Sequence, residues 1–258
     1  MRLVLLGGGS IARAVAEAIR DGKLAGVDVV GVAGSSSPPS ERVVETASLV
    51  DAPTVSGHDL PSLDADWLLE AAGARASLDH VPAVLAGGTN AIIMSVGVML
   101  DANFSRAVAD ARAAGRTVLL PSGAIGGLDA VTAMNALGGL KTASITSTKR
   151  PAGLRGAPHL VEHGIELPEN DVVTVFEGTA RQAVVGFPAN VNVAAALSLA
   201  GLGPDATTVR IVSDPTIPRT RHVIEATGDA GNVRVEIDAA PNPGSPRSSY
   251  LAALSAMT

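Results

Sequence analysis

At 258 residues the chain is long enough for one large or two modest domains at about 100–200 residues each, and two are expected. Apolar residues make up 47 % of it and aromatics only 2 %, so the core is built from Ala, Val, Leu and Ile, as in parallel sheets covered by Ala-rich helices. A net charge of −6 with no Lys/Arg run argues against a nucleic-acid or anionic-membrane surface and for a small-molecule partner; the absence of Cys removes disulfides, thiolate zinc sites and the thiohemiacetal route of aldehyde dehydrogenases.

Strand-like residues begin at Arg2, leaving no room for a cleavable leader, and no run approaches the roughly 18 apolar residues of a membrane span, so a cytoplasmic protein is expected. Arg2–Leu6 predicts a strand, Gly7-Gly8-Gly9 a tight turn and Ile11–Ile19 a helix; Val27–Ala33, between Gly26 and Gly34, predicts a strand buried on both faces and completes a βαβ unit. The alternation continues with a strand at Ala65–Ala71, a helix at Leu78–Ala86, a strand at Asn90–Val96, a helix at Ala102–Ala114 and a strand at Thr117–Leu120. This is the pattern of a doubly wound parallel sheet, Rossmann-like, over residues 1–123. After Ser122 the rhythm changes. A helix at Leu128–Leu137 precedes β-branched strands at Thr142–Thr148, Val172–Glu177, Val209–Ser213, His222–Thr227 and Asn232–Ala239, with Asn190–Leu202 the one helix between them. These predict an α+β domain over 124–245, whose open sheet face suits a dimer partner or the cofactor domain. A last helix within Ser248–Met257 is expected to pack back on the first domain, as part of residues 246–258.

Gly7-x-Gly9-x-x-Ala12 lies between predicted strand and helix, as a dinucleotide fingerprint requires. Gly7 permits the sharp turn, Gly9 lets the backbone approach a pyrophosphate, and Ala12 allows helix and strand to pack closely. Ser10 and Ile11 then open a helix whose N–H groups and dipole favour phosphate. The same turn also serves flavin and nucleotide-sugar sites, or no ligand at all. The acid that grips an adenosine ribose should close the second strand, but Ala33-Gly34-Ser35-Ser36-Ser37 stands there and Asp28 comes too early. Three hydroxyls with Arg42 nearby suit a 2′-phosphate, so the cofactor is NAD or NADP; a solvated serine loop is the equal alternative.

Ligands of such sheets lie beyond the carboxyl ends of the strands, where Glu70-Ala71-Ala72-Gly73, Ser95-Val96-Gly97 and Ser122-Gly123-Ala124 fall. Ala71, Ala72, Ser95 and Ala124 are small enough for a nicotinamide riboside to approach the backbone. A dehydrogenase also needs a proton acceptor, most usefully a His. His222 opens a β-rich segment of the second domain; His58 falls in a loop, and His80 in a helix remote from the expected cleft. His159 and His163 have metal-ligand spacing but no third ligand, and no metal is expected. An anionic substrate needs cations, which Lys149, Arg150 and Arg247 supply.

Several of these segments resemble one family. Leu120-Pro121-Ser122-Gly123-Ala124-Ile125-Gly126-Gly127-Leu128-Asp129 echoes a family pattern Ile-Pro-Ser-Gly-Ala-Ile-Ala-Gly-Leu-Asp. Ser95-Val96-Gly97 with Asp101, Thr148-Lys149-Arg150-Pro151 and Phe187-Pro188-Ala189-Asn190-Val191-Asn192-Val193-Ala194 match as well. All resemble the L-aspartate dehydrogenases, over essentially the whole chain. The resemblance implies oxidation of L-aspartate with NAD or NADP to iminoaspartate, which hydrolyses to oxaloacetate and ammonia or, in some organisms, is passed intact to quinolinate synthase for NAD biosynthesis. It implies a Rossmann domain, a homodimerising catalytic domain, a catalytic His where His222 stands, and Asn190 near the nicotinamide. The family's closing Asn-Pro-Lys-Thr-Ser is here Ser245-Pro246-Arg247-Ser248-Ser249, which removes a polar Asn from the substrate's neighbourhood. The expected mechanism holds the carboxylates on Lys149 or Arg150 and the backbone of Ser122, Gly123 and Ala124, with His222 as general base toward water or as a carboxylate-binding cation. The residues also suit a homoserine-dehydrogenase-like or dihydrodipicolinate-reductase-like enzyme, or a non-catalytic NAD(P)-sensing protein.

Overall fold

The computed structural model describes residues 1–36, 38–188 and 192–258, without the side chains of Pro246 and Arg247. It divides into two compact units, Met1–Pro121 with Ala252–Thr258, and Ser122–Leu251.

In the first unit strands β1 (Arg2–Leu6), β2 (Asp28–Ala33), β3 (Thr54–Val55), β4 (Trp67–Glu70), β5 (Asn90–Ile93) and β6 (Val118–Leu119) form one sheet in the order β3-β2-β1-β4-β5-β6. Every neighbouring pair is parallel. Alternate residues of β1 serve opposite cores. Leu3 and Leu5 pack with Val15 and Ala16 of helix α1 (Ser10–Arg20), Val43 and Ala47 of α2 (Glu41–Leu49), and Ala256 near the C-terminus. Val4 and Leu6 pack with Val81 and Val84 of α3 (Ala74–Ala86) and with Phe104 and Val108 of α4 (Ala102–Ala113). A sheet covered on both faces explains why its strands are continuous apolar runs. The Rossmann-like expectation is met. Helix α2 is an addition to it, a nine-residue segment that buries Val43, Thr46 and Ala47. Helix α3 starts at Ala74, four residues before the expected Leu78, and contains Pro82.

The second unit begins with α5 (Leu128–Asn135) and β7 (Leu140–Lys149), followed by the short helices α6 (Pro151–Leu154) and α7 (Pro158–Glu162). Strand β8 (Val173–Thr179) leads into α8 (Ala180–Gly186), and α9 (Asn192–Ala200) precedes β9 (Thr207–Ser213), β10 (Thr220–Gly228) and β11 (Gly231–Ala239). The sheet order is β11-β10-β7-β9-β8, with only the β7–β9 pair parallel. Ala143, Ile145, Val209, Ile211 and Ile224 bury one face beneath α5, α8 and α9, while Arg210, Glu225, Arg234 and Glu236 leave the other exposed. Helices α6, α7 and α8 and a short hairpin were not expected. Helix α8 forms because Thr179 and Gln182 make a reciprocal capping box, each side chain accepting from the other's backbone N–H at 3.3 and 2.9 Å. A hairpin of β12 (Pro241–Asn242) and β13 (Ser245–Ser249) takes up Ser248, the expected first residue of the last helix, and α10 (Tyr250–Ser255) begins after it.

The glycine turn divides its labour. Gly7 has φ +122, and a Cβ there would lie 2.6 Å from the Ala71 carbonyl oxygen, whereas a Cβ on Gly9 would meet nothing nearer than that oxygen at 3.9 Å. Gly7→Ala is therefore expected to lose about 1–3 kcal/mol, the usual cost of one strained backbone position, seen as a lower urea midpoint. Gly9→Ala should stay close to wild type in the same measurement. Equal losses in both would contradict this division.

Candidate functional site

The Gly7 N–H donates to the Ala33 carbonyl at 2.7 Å, locking the end of β1 to the end of β2. A Cβ on Gly8 would lie 2.5 Å from the Val43 nitrogen and 2.6 Å from the Arg42 oxygen, so α2 closes over the turn from behind. Gly9 caps α1, which has neither a side-chain cap nor an acidic residue in its first turn, and Ala12 is fully buried beneath. Thus Gly7 and Gly8 face protein, and Gly9 leaves its side of the backbone open. That is the form a pyrophosphate cradle takes, with the helix dipole behind it.

The strand order reverses between β1 and β4, the position at which doubly wound sheets bind ligands. Glu70 ends β4 there, completely buried. Its Oε1 accepts from the N–H of Ala72 at 2.9 Å, the N–H of Gly73 at 3.1 Å and the hydroxyl of Ser95 at 2.9 Å; its Oε2 accepts from the N–H of Ser95 at 2.9 Å. Burial raises the Glu70 pKa, and the hydrogen bonds from Ser95, Ala72 and Gly73 oppose the rise. Ala71, Ala72 and Ser95, expected at the cofactor, are thereby held as one group, with the Ala71 carbonyl against Gly7. The sequence carries no signal for this role of Glu70, because a Glu at a strand end ordinarily faces water.

Ser35 and Ser36 line a cavity of about 200 Å³ beyond β2 and β3, together with Ser56, His58 and His80. The expectation that His80 lies remote from the ligand end of the sheet is corrected: α3 carries its ring to His58, with ring centroids 5.5 Å apart. A turn at Gly57 makes this fit, since a Cβ there would fall 2.6 Å from the His80 ring.

In the second unit His222 on β10 lies directly across from Ser147 on β7, and the Ser147 hydroxyl is 2.9 Å from its Nδ1. His222 is only 3 % exposed, and burial, followed by the charge of Lys149, pushes its pKa down to about 3. Burial lowers Lys149 to about 8. The imidazole is accordingly neutral at working pH, which favours the general-base role over the carboxylate-binding cation. Lys149 lies two residues beyond Ser147 on the same face of β7. It lines a cavity of about 440 Å³ with Arg150, Arg219, Thr220, Ser248 and Ser249. No carboxylate lines that cavity, and the buried Ser249 hydroxyl has no hydrogen-bond partner. Arg150 is aimed by donating from Nε to the Ile217 carbonyl at 2.6 Å. Sequence reasoning missed Arg219, which stands beside Pro218 in a stretch with no motif.

Ser122, Gly123 and Ala124 precede α5 and do not line this cavity; Ala124 is buried and Gly123 has φ +68. Asn190 lies outside the described residues, as does the side chain of Arg247. His159 and His163 stack with ring centroids 4.2 Å apart, and His159 packs against Phe176 and Phe187.

Residues 129–258 match the family described as aspartate dehydrogenase, C-terminal, and residues 7–121 match the NAD-binding domain of homoserine dehydrogenase. An L-aspartate dehydrogenase of Methanosarcina mazei is 34 % identical over all of this chain and 95 % of its own length. One from Nitrosopumilus maritimus is 38 % identical over 99 % of this chain and 94 % of its own. A crystal structure of aspartate dehydrogenase from Thermotoga maritima shares the fold, with a TM-score of 0.69 and 23 % identity over 99 % of this chain and 93 % of that one. By these matches, over its full length, the chain belongs to the L-aspartate dehydrogenase family.

Proposed function

We propose that the protein is an NAD(P)-dependent L-aspartate dehydrogenase, in which the first unit binds the dinucleotide and the second the amino acid. The observation that carries the substrate assignment is the cavity of Lys149, Arg150 and Arg219, lined by no carboxylate among the described residues; the neutral His222 does not line it but feels the charge of Lys149. A dicarboxylate needs more than one cation, and homoserine, with a single carboxylate, does not call for this concentration of them.

Gly9, Ser10 and Ile11 hold the pyrophosphate on the turn that Gly7 and Ala12 shape, Ser35 and Ser36 face the adenosine ribose, and Ala71, Ala72 and Ser95 serve the nicotinamide riboside. When bound, NAD or NADP supplies the hydride acceptor. Lys149 and Arg150 hold the substrate carboxylates, with Arg247 assisting, so that Cα is presented for loss of its hydride. His222, its Nδ1 fixed by Ser147, takes a proton from the water that adds to iminoaspartate; collapse of the adduct gives oxaloacetate and ammonia. A homodimer through the exposed face of the five-stranded sheet, a cytoplasmic location and delivery of the imine to quinolinate synthase complete the reading. Among the described residues no helix is long and apolar enough to cross a membrane.

The deciding experiment follows absorbance of the reduced cofactor, forward with aspartate and in reverse with oxaloacetate plus ammonia, using NAD and NADP, with homoserine and cyclic imines alongside. Aspartate-dependent reduction is expected, and His222→Ala should lower kcat by about 10²–10⁴-fold. Unaltered turnover in that variant would remove His222 from the mechanism.

The pH profile has a definite sign. Lys149 is cationic below its pKa of about 8 and loses its charge above it, so kcat/KM for aspartate should fall as pH rises through about 8. Lys149→Arg should shift that limb upward, because a guanidinium stays charged. No limb near the usual histidine pKa is expected from His222, held at about 3.

Glu70→Gln replaces an acceptor with an amide whose N–H₂ must face the donors of Ser95 or of Ala72 and Gly73. Its affinity for NADH should fall by about tenfold, with aspartate KM at saturating cofactor little changed. A purely aspartate-side defect would contradict the positioning role.

A further inference from the structure

The cavity beyond β2 and β3 lies where a dinucleotide's adenosine ribose ends, one residue past the last residue of β2, Ala33. At about 200 Å³ it falls below the ~300–1,000 Å³ typical of a whole ligand site and suits one group of a larger molecule. Its polar lining is entirely hydroxyl and imidazole: Ser35 and Ser36 from the loop after β2, Thr54 and Ser56 from β3 and its end, His58 beyond them, and His80 from α3. No carboxylate lines it, so the ribose-gripping acid is replaced by donors that suit an anion. Three separate segments of chain converge to make this set, and Gly57 is packed against the His80 ring so closely that an added Cβ would have to displace the ring.

We propose that His58 and His80, with the hydroxyls of Ser35, Ser36 and Ser56, bind a phosphate on the adenosine ribose and make the phosphorylated dinucleotide the preferred cofactor. The proposal rests on the dinucleotide reading of the glycine turn and on nothing about the amino-acid substrate. The two rings meet edge to face at 84°, and both residues line the cavity. Burial and then His58 hold His80 below its usual pKa, while Asp79, on the same helix, acts the other way. A phosphate dianion beside the rings would reverse that balance and favour the imidazolium, giving a charge-assisted hydrogen bond. Arg42 stands at the start of α2 and does not line the cavity, so the discrimination falls to the histidines and serines.

Fluorescence titration of the intact protein with NADPH and with NADH tests this without any amino acid present. Wild type should bind NADPH at least tenfold more tightly. His58→Ala, on an exposed loop, and His80→Gln should each weaken NADPH by about tenfold, roughly what one hydrogen bond to a charged group contributes. NADH affinity should stay within about twofold, which also reports a folded cofactor domain. Equal binding of the two cofactors by wild type, or parallel loss of both in His58→Ala, would overturn the phosphate subsite and leave the dinucleotide turn standing. Binding of neither would overturn both. Tight, selective NADPH binding without aspartate turnover would remove the enzyme reading and keep this one.

Discussion

An ionised glutamate can only accept hydrogen bonds, and Glu70 spends both its oxygens on donors from three residues that belong to two different strand ends. Buried without water, such a carboxylate is tolerable only while those bonds persist, because each donor lost exposes more of its desolvation cost. The reciprocal constraint is the useful one. The turn 71–73 and the start of the loop at Ser95 cannot shift independently, and the Ala71 carbonyl, pressed on Gly7, transmits the same constraint to the glycine turn. The whole ligand end of the first sheet is thus indexed to one side chain. A site built this way is pre-organised, and pre-organisation is what keeps binding from being consumed in ordering the loops.

The second unit uses a similar economy with the opposite charge. Ser147, Lys149 and His222 come from two neighbouring antiparallel strands whose register fixes their spacing. Since side chains alternate along a strand, Ser147 and Lys149 share a face, and His222, opposite Ser147, joins them. Burial, and after it the charge of Lys149, keeps His222 neutral; with Nδ1–H donating to the Ser147 hydroxyl, Nε2 is the nitrogen left to accept a proton. A one-residue slip of β10 on β7 would send His222 to the face opposite Ser147 and Lys149, so the cluster depends on the pairing register.

How much of this was legible follows from where the information resides. β1, β2, β4 and β5 announce themselves because buried parallel strands must be continuously apolar, and Gly7-x-Gly9-x-x-Ala12 because each position answers a local steric demand. Helix α2 escapes because its buried stripe, Val43, Thr46 and Ala47, spans barely one turn and includes a polar residue. The β12–β13 hairpin escapes because strands so short, interrupted by Pro and Gly, have no periodicity to detect. The histidines illustrate the limit: His222 sits near recognisable neighbours, whereas His58 and His80 are brought together only by a helix docking on a loop. Arg219 and Glu70 are of the same kind, residues whose roles come from tertiary placement.

Charge placement in the second unit adds a last step. Arg181, Arg210, Arg221 and Arg234 each pair with carboxylates at the surface, three of them on the exposed sheet face. Surface pairs of this kind contribute little stability, about 0–1 kcal/mol each, so their consequence is chiefly to cancel charge locally. Arg219 is different, with no ion pair within 4 Å among the described residues and a place in the same cavity wall as Lys149 and Arg150. A chain with net charge −6 would on average repel a dicarboxylate. Pairing the surface arginines with carboxylates while lining one cavity with Lys149, Arg150 and Arg219 and, among the described residues, no acid opposes that average locally, where low-dielectric walls focus the field. The lining of this cavity, rather than the net charge of the chain, is what suits it to an anion.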